Sequence, residues 1–359
     1  MGKRVLITRM GWFGSHRLAK RLEADPEIDY ILGIDVTEPA GELDRTEFLR
    51  ADVRESVLMR ILEATGIDTV VHLGLYSTPN DAGGGRGTMH DFNVIGAMQL
   101  FAACQRVPEV KRVIIRSSTA VYGAASNDPA VFTEEMYRSD PPDPFGRDCG
   151  ELEGYARALA RRRPDIDMTL FRFANIIGPG ADTPLARYLT MPLVPTVLGF
   201  DPRLQFIHEA DATDLLAQAI AEPVVGTYNA AADGVLFLSQ VLRIGGRIEV
   251  PVPMTLLNLA EPLSRVVRGG IEVPPHIVRL INWGRIADNR RLKEEFGFVP
   301  RYTTRETVEE FYAEHRLRRM ARRPRERSPW ERELSEFVTR KGQERFLERV
   351  RGPRDDPGG

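Results

Sequence analysis

Gly11, Gly14 and Asp35, near the amino terminus, have the types and spacing of a dinucleotide-binding site, and Arg9 departs from the pattern. Gly11 and Gly14 stand at the second and third glycine positions of a G-x-G-x-x-G motif, and Arg9 stands at the first. Such glycines allow a tight turn, close approach of the backbone to a pyrophosphate and a helix N-terminus directed at its charge. Asp35 follows Gly14 by 21 residues, the usual spacing of a carboxylate that accepts from the adenosine ribose. The Arg9 side chain could block the turn or pair with a phosphate, so both outcomes stay open.

Alternating strand and helix patterns predict how this loop is positioned. Continuous apolar runs, typical of strands buried on both faces, occur at residues 5–8, 30–35, 69–73, 113–117 and 169–173. Helical spacing occurs at residues 15–23, 56–65, 92–106 and 151–163. The β-α-β order predicts an α/β fold, a doubly wound parallel Rossmann sheet with the loop at the carboxyl end of its first strand.

Changes in composition predict three parts of the chain. Residues 1–178 are predicted as a Rossmann dinucleotide-binding domain, and residues 179–315 as a smaller C-terminal lid for substrate that returns to the sheet. Residues 316–359 are predicted as a charged helical tail, because seven arginines lie within 316–327 and an apolar helical face follows. This tail either docks on its own domain or on a second copy, or it binds a protein or membrane-surface partner through residues 316–350.

The composition limits the classes of function. The 359-residue chain has a net charge of −2 and is 42% hydrophobic, which excludes a mainly disordered protein and gives no electrostatic reason to expect nucleic-acid binding. Its longest uncharged stretch, residues 188–200, is too short to span a bilayer. Two cysteines and no recognisable leader predict a cytoplasmic protein with free thiols, and no metal site is predicted.

Short motifs follow one another in a characteristic order along the chain. They are Val71-His-Leu-Gly74, Asn93-Val-Ile-Gly96, Arg116-Ser-Ser-Thr-Ala-Val-Tyr-Gly123, Phe171-Arg-Phe-Ala-Asn-Ile-Ile-Gly-Pro179, Phe206-Ile-His208 with Asp211, and Gly226-Thr-Tyr-Asn229. Together they resemble the extended short-chain dehydrogenases, the NAD-dependent epimerase/dehydratase family, over roughly residues 3–310. The resemblance implies an NAD cofactor, a small-molecule carbonyl or sugar ligand, and a homodimer.

The resemblance also implies roles for single residues. Ser118 would be the hydroxyl of the catalytic set. The residues that would contact the cofactor are Arg9, Gly11, Trp12, Phe13, Gly14, Asp35, Asp52, Val53, Leu73, Gly74 and Asn93. Asn175 and Arg203 would face the substrate, although Arg203 stands one place before the position of the family's phosphate-binding arginine, which is Leu204 here.

The catalytic pair of the family is missing from this chain. The family has a tyrosine and, four residues later on the same helix, a lysine whose charge lowers the tyrosine pKa from about 10. Phe145 and Cys149 hold those positions, and no tyrosine in the sequence is followed four residues later by lysine. Cys149 is either a thiol of lowered pKa or a packing side chain. Glu134, Glu135 and Asp148 are other candidate acids, interpreted as exposed loop carboxylates.

Three functions stay open. The first is a non-catalytic or chemically reassigned family member that binds NAD(H) and acts through a partner. It would bind NAD(H) rather than NADP(H), because Asp35 would repel a 2′-phosphate. The second is an active oxidoreductase or epimerase on a sugar or lipid-like carbonyl that uses Ser118 and a non-standard acid. The third is a scaffold with no cofactor.

Overall fold

Strands and helices alternate along the residues that the computed structural model describes, which are 2–39, 41–138, 140–141, 143–253 and 273–321. The strands are β1 (Lys3–Thr8), β2 (Ile28–Asp35), β3 (Thr46–Arg50), β4 (Thr69–His72), β5 (Arg112–Ser118), β6 (Asp167–Phe173), β7 (Asn175–Ile177), β8 (Leu193–Val197), β9 (Arg203–Leu204), β10 (Phe206–His208), β11 (Gly226–Ala230), β12 (Leu236–Phe237) and β13 (Ile248–Val252). The helices are α1 (Phe13–Glu23), α2 (Leu58–Thr65), α3 (Arg86–His90), α4 (Gly96–Arg106), α5 (Pro144–Arg162), α6 (Pro184–Leu189), α7 (Glu209–Ala221), α8 (Leu238–Ile244), α9 (Pro275–Trp283), α10 (Arg290–Glu294) and α11 (Thr304–Ala321). A π-helical turn, Asp91–Ile95, joins α3 to α4.

Seven parallel strands form the central sheet, in the order β11-β6-β5-β4-β1-β2-β3. Side chains alternate across it: in β1, Leu6 contacts one hydrophobic cluster, and Val5 and Ile7 contact another on the opposite face. Burial on both faces explains why the predicted strands are continuously apolar. The predicted doubly wound Rossmann fold is confirmed.

The strand order reverses at β1, which lies between β2 and β4. Helix α1 packs into the cluster on one face of the sheet, and α2 and α4 pack into the cluster on the other. Open sheets of this topology bind ligands in the crevice where the connections diverge, outside the carboxyl ends of the strands. The fold therefore directs the search for a site to the ends of β1 and β4.

Helix α5 begins earlier than the apolar pattern from residue 151 predicts. The Asp143 side chain accepts a hydrogen bond from Gly146 N at 2.8 Å, and Pro144 occupies the first turn, where its missing N–H is harmless. Glycines in the first two turns hide the periodicity there. Phe145 and Cys149 consequently lie one turn apart on a single helix.

The region after residue 179 returns to the sheet as β11 and otherwise packs around its own hydrophobic cluster, which includes Leu185, Phe206, Leu242 and Tyr312. The tail predicted for residues 316–359 lies outside the described residues beyond the end of α11, so both docking interpretations stay predictions. No helix in the described part of the chain is long and apolar enough to cross a membrane.

Candidate dinucleotide-binding site

A groove of about 280 Å³ lies at the carboxyl ends of β1, β2 and β4. Its walls come from the loop after β1, the end of β2, the segment after β4 and the start of α6. Arg9, Trp12, Asp35, Tyr76 and Arg116 are among its lining residues. The groove occupies the crevice that the strand order predicts.

The loop after β1 forms its turn with arginine at the first glycine position. Arg9 has φ 61°, the left-handed region that favours glycine, and it is the single non-glycine residue with positive φ in the described ranges. Its N–H donates to the Ile34 carbonyl at 2.9 Å, and its own carbonyl accepts from the Ser15 hydroxyl at 2.7 Å. These bonds hold a conformation that costs an L-residue about 1–2 kcal/mol. The side chain does not block the turn.

Asp35 is fixed at the groove wall beside this loop. Its Oδ2 accepts from Gly11 N at 2.7 Å, and its Oδ1 accepts from Val36 N at 2.6 Å and Thr37 N at 3.2 Å. Backbone donors therefore hold the carboxylate where the spacing from Gly14 predicts it.

Trp12 covers the start of α1. A Cβ on Gly14 would lie 2.3 Å from the Trp12 indole, so only glycine leaves room for the ring. The guanidinium carbon of Arg116 lies 4.2 Å from the centroid of the same ring. The absence of a side chain at Gly14 therefore allows the Trp12 ring to pack against the start of α1.

Two guanidinium groups meet at the carbonyl oxygen of Leu75. Arg9 donates to it through Nη1, and Arg116 Nη1 donates to it at 3.2 Å and to the Leu73 carbonyl at 3.2 Å. Arg9 also lies over the Tyr76 ring, 3.7 Å from its centroid. Neither guanidinium has a carboxylate within 4.0 Å among the residues that the structure describes. Burial and, second, the charge of Arg9 lower the pKa of Arg116 to about 9.

A smaller cavity of about 60 Å³ adjoins the groove at the end of β5. Ser118, Phe145 and Asn175 line it together with Arg116 and Arg285. The structure thus brings together the predicted hydroxyl, the residue at the tyrosine position and a predicted substrate residue. Two guanidinium groups accompany them.

The Phe145 ring packs against the imidazole of His276 on α9, with ring centroids 4.6 Å apart. Both side chains are buried. Burial and, second, the charge of Arg285 lower the pKa of His276 to about 3. The imidazole is therefore neutral at pH 7 and a weak base, and its neighbour has no titratable proton.

Cys149 is fully buried one turn after Phe145. Burial, followed by the charges of Glu153 and Asp148, raises the pKa of its thiol well above the ordinary value. The hypothesis of a thiol with lowered pKa is wrong, because these effects outweigh the nearby Arg116 charge. Cys149 is a packing side chain here.

The interpretation of Glu134 and Asp148 as exposed loop carboxylates is also wrong. Asp148 lies buried on α5 and accepts from Arg86 at 2.5 and 2.9 Å and from Asn93 Nδ2 at 2.9 Å. Glu134 is buried and accepts from Asn229 N at 2.8 Å, and burial raises its pKa. Neither lines the groove or the small cavity. No group of three or more potential metal ligands occurs in the described ranges.

A buried ion pair supports β5 beneath the small cavity. Glu153 Oε2 accepts from Arg172 Nη2 at 2.7 Å, and Glu153 Oε1 accepts from the Ser117 hydroxyl at 2.8 Å. Arg172 Nη1 donates to the Tyr122 hydroxyl at 2.8 Å. The network ties α5 and β6 to the strand end that carries Ser118.

Some residues implied by the resemblance support the groove without lining it. Leu73 and Gly74 precede the segment, residues 75–77, that forms the wall. Asn93 is buried in the π-helical turn, where its Oδ1 accepts from Tyr76 N at 2.6 Å and its Nδ2 donates to the Tyr76 carbonyl at 2.9 Å. Asn93 therefore positions the wall, a use typical of π-helical turns at sites.

Three other residues that the resemblance assigns to the cofactor or the substrate lie outside both the groove and the small cavity. Asp52 forms an ion pair with Arg54 at 2.6 Å, and Val53 packs against the Gly96 backbone. Arg203 lines a separate cavity and donates to the Ala130 carbonyl at 3.2 Å.

Sequence reasoning missed three residues of the site: Arg116, His276 and Arg285. Arg116 is a charged residue within an otherwise apolar strand, and this departure from the pattern could have indicated that it belongs to the site. The positions of His276 and Arg285 depend on how the C-terminal region folds back over β5. No local sequence pattern predicts that His276 and Arg285 belong to the site.

Residues 6–231 match the profile of the NAD dependent epimerase/dehydratase family. The chain belongs to this family. The uncharacterized protein Rv0501 of Mycobacterium tuberculosis is 40% identical over 315 residues, which cover 86% of this chain and 83% of that protein. The uncharacterized protein Mb0513 of Mycobacterium bovis matches with the same identity and coverage.

Solved structures with bound NAD or sugar nucleotides share the fold of this family member. MoeE5 in complex with UDP-glucuronic acid and NAD has a TM-score of 0.69 at 20% identity, covering 88% of this chain and 99% of that chain. DesIV, a dTDP-glucose 4,6-dehydratase from Streptomyces venezuelae with NAD and TYD bound, has a TM-score of 0.68 at 20% identity, covering 89% and 99%. UDP-glucose 4-epimerase from Thermotoga maritima with UDP-glucose has a TM-score of 0.67 at 18% identity, covering 88% and 99%.

Proposed function

We propose that this protein binds NAD(H) in the groove and does not carry out the hydride-transfer chemistry of its family. The observation that carries the proposal is the pairing of Phe145 with His276, next to the buried Cys149 thiol. The family's reaction needs a titratable phenol beside a cation at this place. General acid–base catalysis contributes typically about 10²–10⁴-fold to such a reaction, and the phenyl ring contributes none of it.

The adenosine end of the groove supports cofactor binding. Asp35 presents a carboxylate held by Gly11 N and two further backbone donors, and this group accepts from ribose hydroxyls. The same negative charge disfavours a 2′-phosphate, so NAD(H) is the expected form. MoeE5 and DesIV, which share the fold, were solved with NAD bound. Bound NAD would supply a hydride acceptor, and this chain would hold its adenosine half.

Within the described part of the chain, the candidate acids and bases near the small cavity offer no replacement for the missing proton transfer. The Cys149 thiol is disfavoured as a thiolate, and the His276 imidazole is a weak base. Asp148 and Glu134 are engaged in hydrogen bonds away from the small cavity. Ser118 remains at the cavity, where its hydroxyl oxygen accepts from Ala120 N at 3.1 Å.

A binding protein of this kind acts through a partner, and the proposal includes a homodimer, a cytoplasmic location and a docking role for residues 316–350. The support for these parts is the family resemblance and the arginine-rich sequence of 316–327. Removing residues 322–359 should leave NADH affinity unchanged and alter the oligomeric state or partner binding, as measured by light scattering and co-purification.

Titration of the full chain with NADH, followed by its fluorescence, tests the main proposal. We expect saturable binding together with no turnover of UDP-glucose, UDP-glucuronic acid or dTDP-glucose in the presence of NAD. Absence of NADH binding would favour a scaffold without cofactor. Steady turnover that survives Phe145→Ala and stops in Ser118→Ala would instead establish an active enzyme.

A further inference from the structure

Two cations share one neutral acceptor at the centre of the groove. Arg9 follows β1 and Arg116 lies on β5, the two strands that flank β4, and both donate to the carbonyl oxygen of Leu75 just beyond β4. Like charges at such a contact repel each other, and the pKa of Arg116, lowered to about 9 by burial and then by Arg9, reflects this. The charges of Asp35 and Asp81 act on Arg9 from beyond 4.0 Å, and no described carboxylate contacts either guanidinium directly.

Besides Arg9 and Arg116, the groove is lined by one cation, Arg187, and by three carboxylates, those of Asp35, Asp81 and Asp182. Arg187 Nε donates to Asp182 at 2.6 Å, and Arg187 Nη2 lies 3.5 Å from Asp81. Arg9 and Arg116 have no carboxylate within 4.0 Å among the described residues. Positive charge without a contacting carboxylate therefore lies beyond the end of β4, and the negative charge of Asp35 lies at the end of β2.

Aromatic rings and backbone atoms hold both guanidinium groups in place. Arg9 lies over the Tyr76 ring at 3.7 Å, and Arg116 lies over the Trp12 ring at 4.2 Å. The Arg116 Nε atom is buried without a hydrogen-bond partner in the described part of the chain. Arg9 keeps a left-handed backbone that a glycine would adopt more readily. Strained positions of this kind persist where the surrounding structure holds them, and they cluster at active sites and ligand clamps.

The geometry points to a diphosphate clamp, in which Arg9 and Arg116 bind the two phosphate groups of a nucleoside diphosphate whether or not a nicotinamide is attached. This inference rests on the proposed function, which places the adenosine at Asp35. A guanidinium is a planar fork of donors that matches phosphate oxygens, so two forks suit two linked phosphates. At the far end of the site, neither Phe145 nor Cys149 supplies a cation to a nicotinamide ribose, and Arg285 there donates to the Thr119 hydroxyl and the Gly123 carbonyl. Affinity therefore depends on the diphosphate.

Calorimetric titration of the full chain with adenosine, AMP, ADP, ADP-ribose and NADH tests the clamp. We expect ADP and ADP-ribose to bind about tenfold or more tightly than AMP or adenosine, and ADP-ribose to bind about as tightly as NADH. Arg9→Gly removes one guanidinium at a backbone conformation that glycine already favours, so this variant folds. Arg116→Lys keeps the positive charge and removes the planar set of guanidinium N–H donors. Each should lower ADP affinity about tenfold and leave adenosine affinity unchanged.

Arg4→Met is the matched control. Arg4 also lies over a ring, that of Tyr30 at 4.5 Å, and donates to a backbone carbonyl, that of Thr65 at 2.7 Å, away from the groove. An equal loss of ADP affinity in Arg4→Met would overturn the clamp. ADP binding no tighter than adenosine binding would also overturn it.

The two proposals fail separately. If NADH binds equally well to wild type, Arg9→Gly and Arg116→Lys, the clamp is wrong and NAD(H) binding stands. If ADP binds with the expected dependence on both arginines but NADH does not bind, the clamp stands and the proposed cofactor is wrong. Binding of neither ADP nor NADH overturns both.

Discussion

Arg9 and Arg116 donate hydrogen bonds to the same carbonyl oxygen, that of Leu75. Because the carboxyl ends of parallel strands meet at one edge of the sheet, residues that follow β1 and end β5 converge on the segment after β4. The family resemblance assigns the lysine of the catalytic pair to position 149, where this chain has cysteine. Arg116 lines both the groove and the small cavity, and Arg285 lines the small cavity, so the positive charge at this end of the site comes from residues outside helix α5.

Two substitutions at Arg9 separate backbone strain from the side chain. Both Arg9→Gly and Arg9→Ala remove the guanidinium, but only alanine keeps the left-handed cost at φ 61°. We expect Arg9→Gly to be more stable than Arg9→Ala by about 1 kcal/mol in urea unfolding. Equal midpoints and slopes would mean that the loop relaxes away from this conformation.

Restoring the family's lysine at position 149 should damage the fold. Cys149 is fully buried, and the charges of Arg116 and Arg285 already act on it. The nearby carboxylates of Glu153 and Asp148 are already paired with Arg172 and Arg86, so neither is free to pair with a buried lysine. We expect Cys149→Lys to lower the free energy of unfolding by about 3 kcal/mol or more. Cys149→Ala, the size control, should cost about 1 kcal/mol. A Cys149→Lys protein as stable as Cys149→Ala would contradict this description of the pocket.

The central strands could be predicted because burial on both faces leaves a continuous apolar run, as in Val5, Leu6 and Ile7. Strand β3 (Thr46–Arg50) could not be predicted this way. It lies at the edge of the sheet with no fully buried residue, so its sequence carries little apolar signal. The start of α5 was missed for a related reason, since its first turns contain glycines and depend on the Asp143 cap.

The candidate site likewise contains some residues that the sequence predicts and others that it does not. Gly11 and Asp35 could be predicted because a local turn and a fixed strand-helix-strand spacing place them together. Arg285 could not, because it donates to the Thr119 hydroxyl across 166 residues of sequence. His276 reaches Phe145 through the packing of α9 on α5, which no local motif encodes.

The buried pair of Glu153 and Arg172 should be essential to stability. Removing the carboxylate charge leaves the Arg172 guanidinium uncompensated in the core, so we expect Glu153→Gln to cost about 3–5 kcal/mol. Glu151→Gln is the control, since Glu151 is exposed two residues earlier on the same helix. Its effect should stay within about 0.5 kcal/mol. Urea unfolding of both variants measures the difference, and similar values for the two would contradict the role of the pair.

His276 should make stability depend on pH. Its pKa in the folded protein is about 3, below the ordinary 6.5, so the folded state binds fewer protons than the unfolded state. The contribution of the lowered His276 pKa to the free energy of unfolding is complete above pH 6.5. It is lost as pH falls towards 3, by at most about 1.4 kcal/mol per pH unit. His276→Phe keeps the ring contact with Phe145 and removes the titration. We expect the variant to lose less stability than wild type between pH 6.5 and 4.5, and parallel curves would show that His276 does not resist protonation.

Asp35 should determine which nicotinamide dinucleotide binds. Its carboxylate is fixed at the groove wall by the backbone of Gly11, Val36 and Thr37. In the proposed binding mode, its charge would lie beside the ribose 2′ position. We expect wild type to bind NADH more tightly than NADPH. Asp35→Asn should weaken NADH binding by about 1.5–3 kcal/mol, roughly tenfold or more, because the ribose hydroxyls lose a charged acceptor. The same substitution should reduce the difference between the NADH and NADPH affinities, because it removes the repulsion between the Asp35 carboxylate and the 2′-phosphate.

Asp81→Asn is the matched control, since Asp81 lines the same groove near Arg187. It should leave the ratio of the two affinities unchanged in fluorescence titrations. Tighter binding of NADPH by wild type, or an equal effect of both substitutions, would contradict a ribose contact at Asp35.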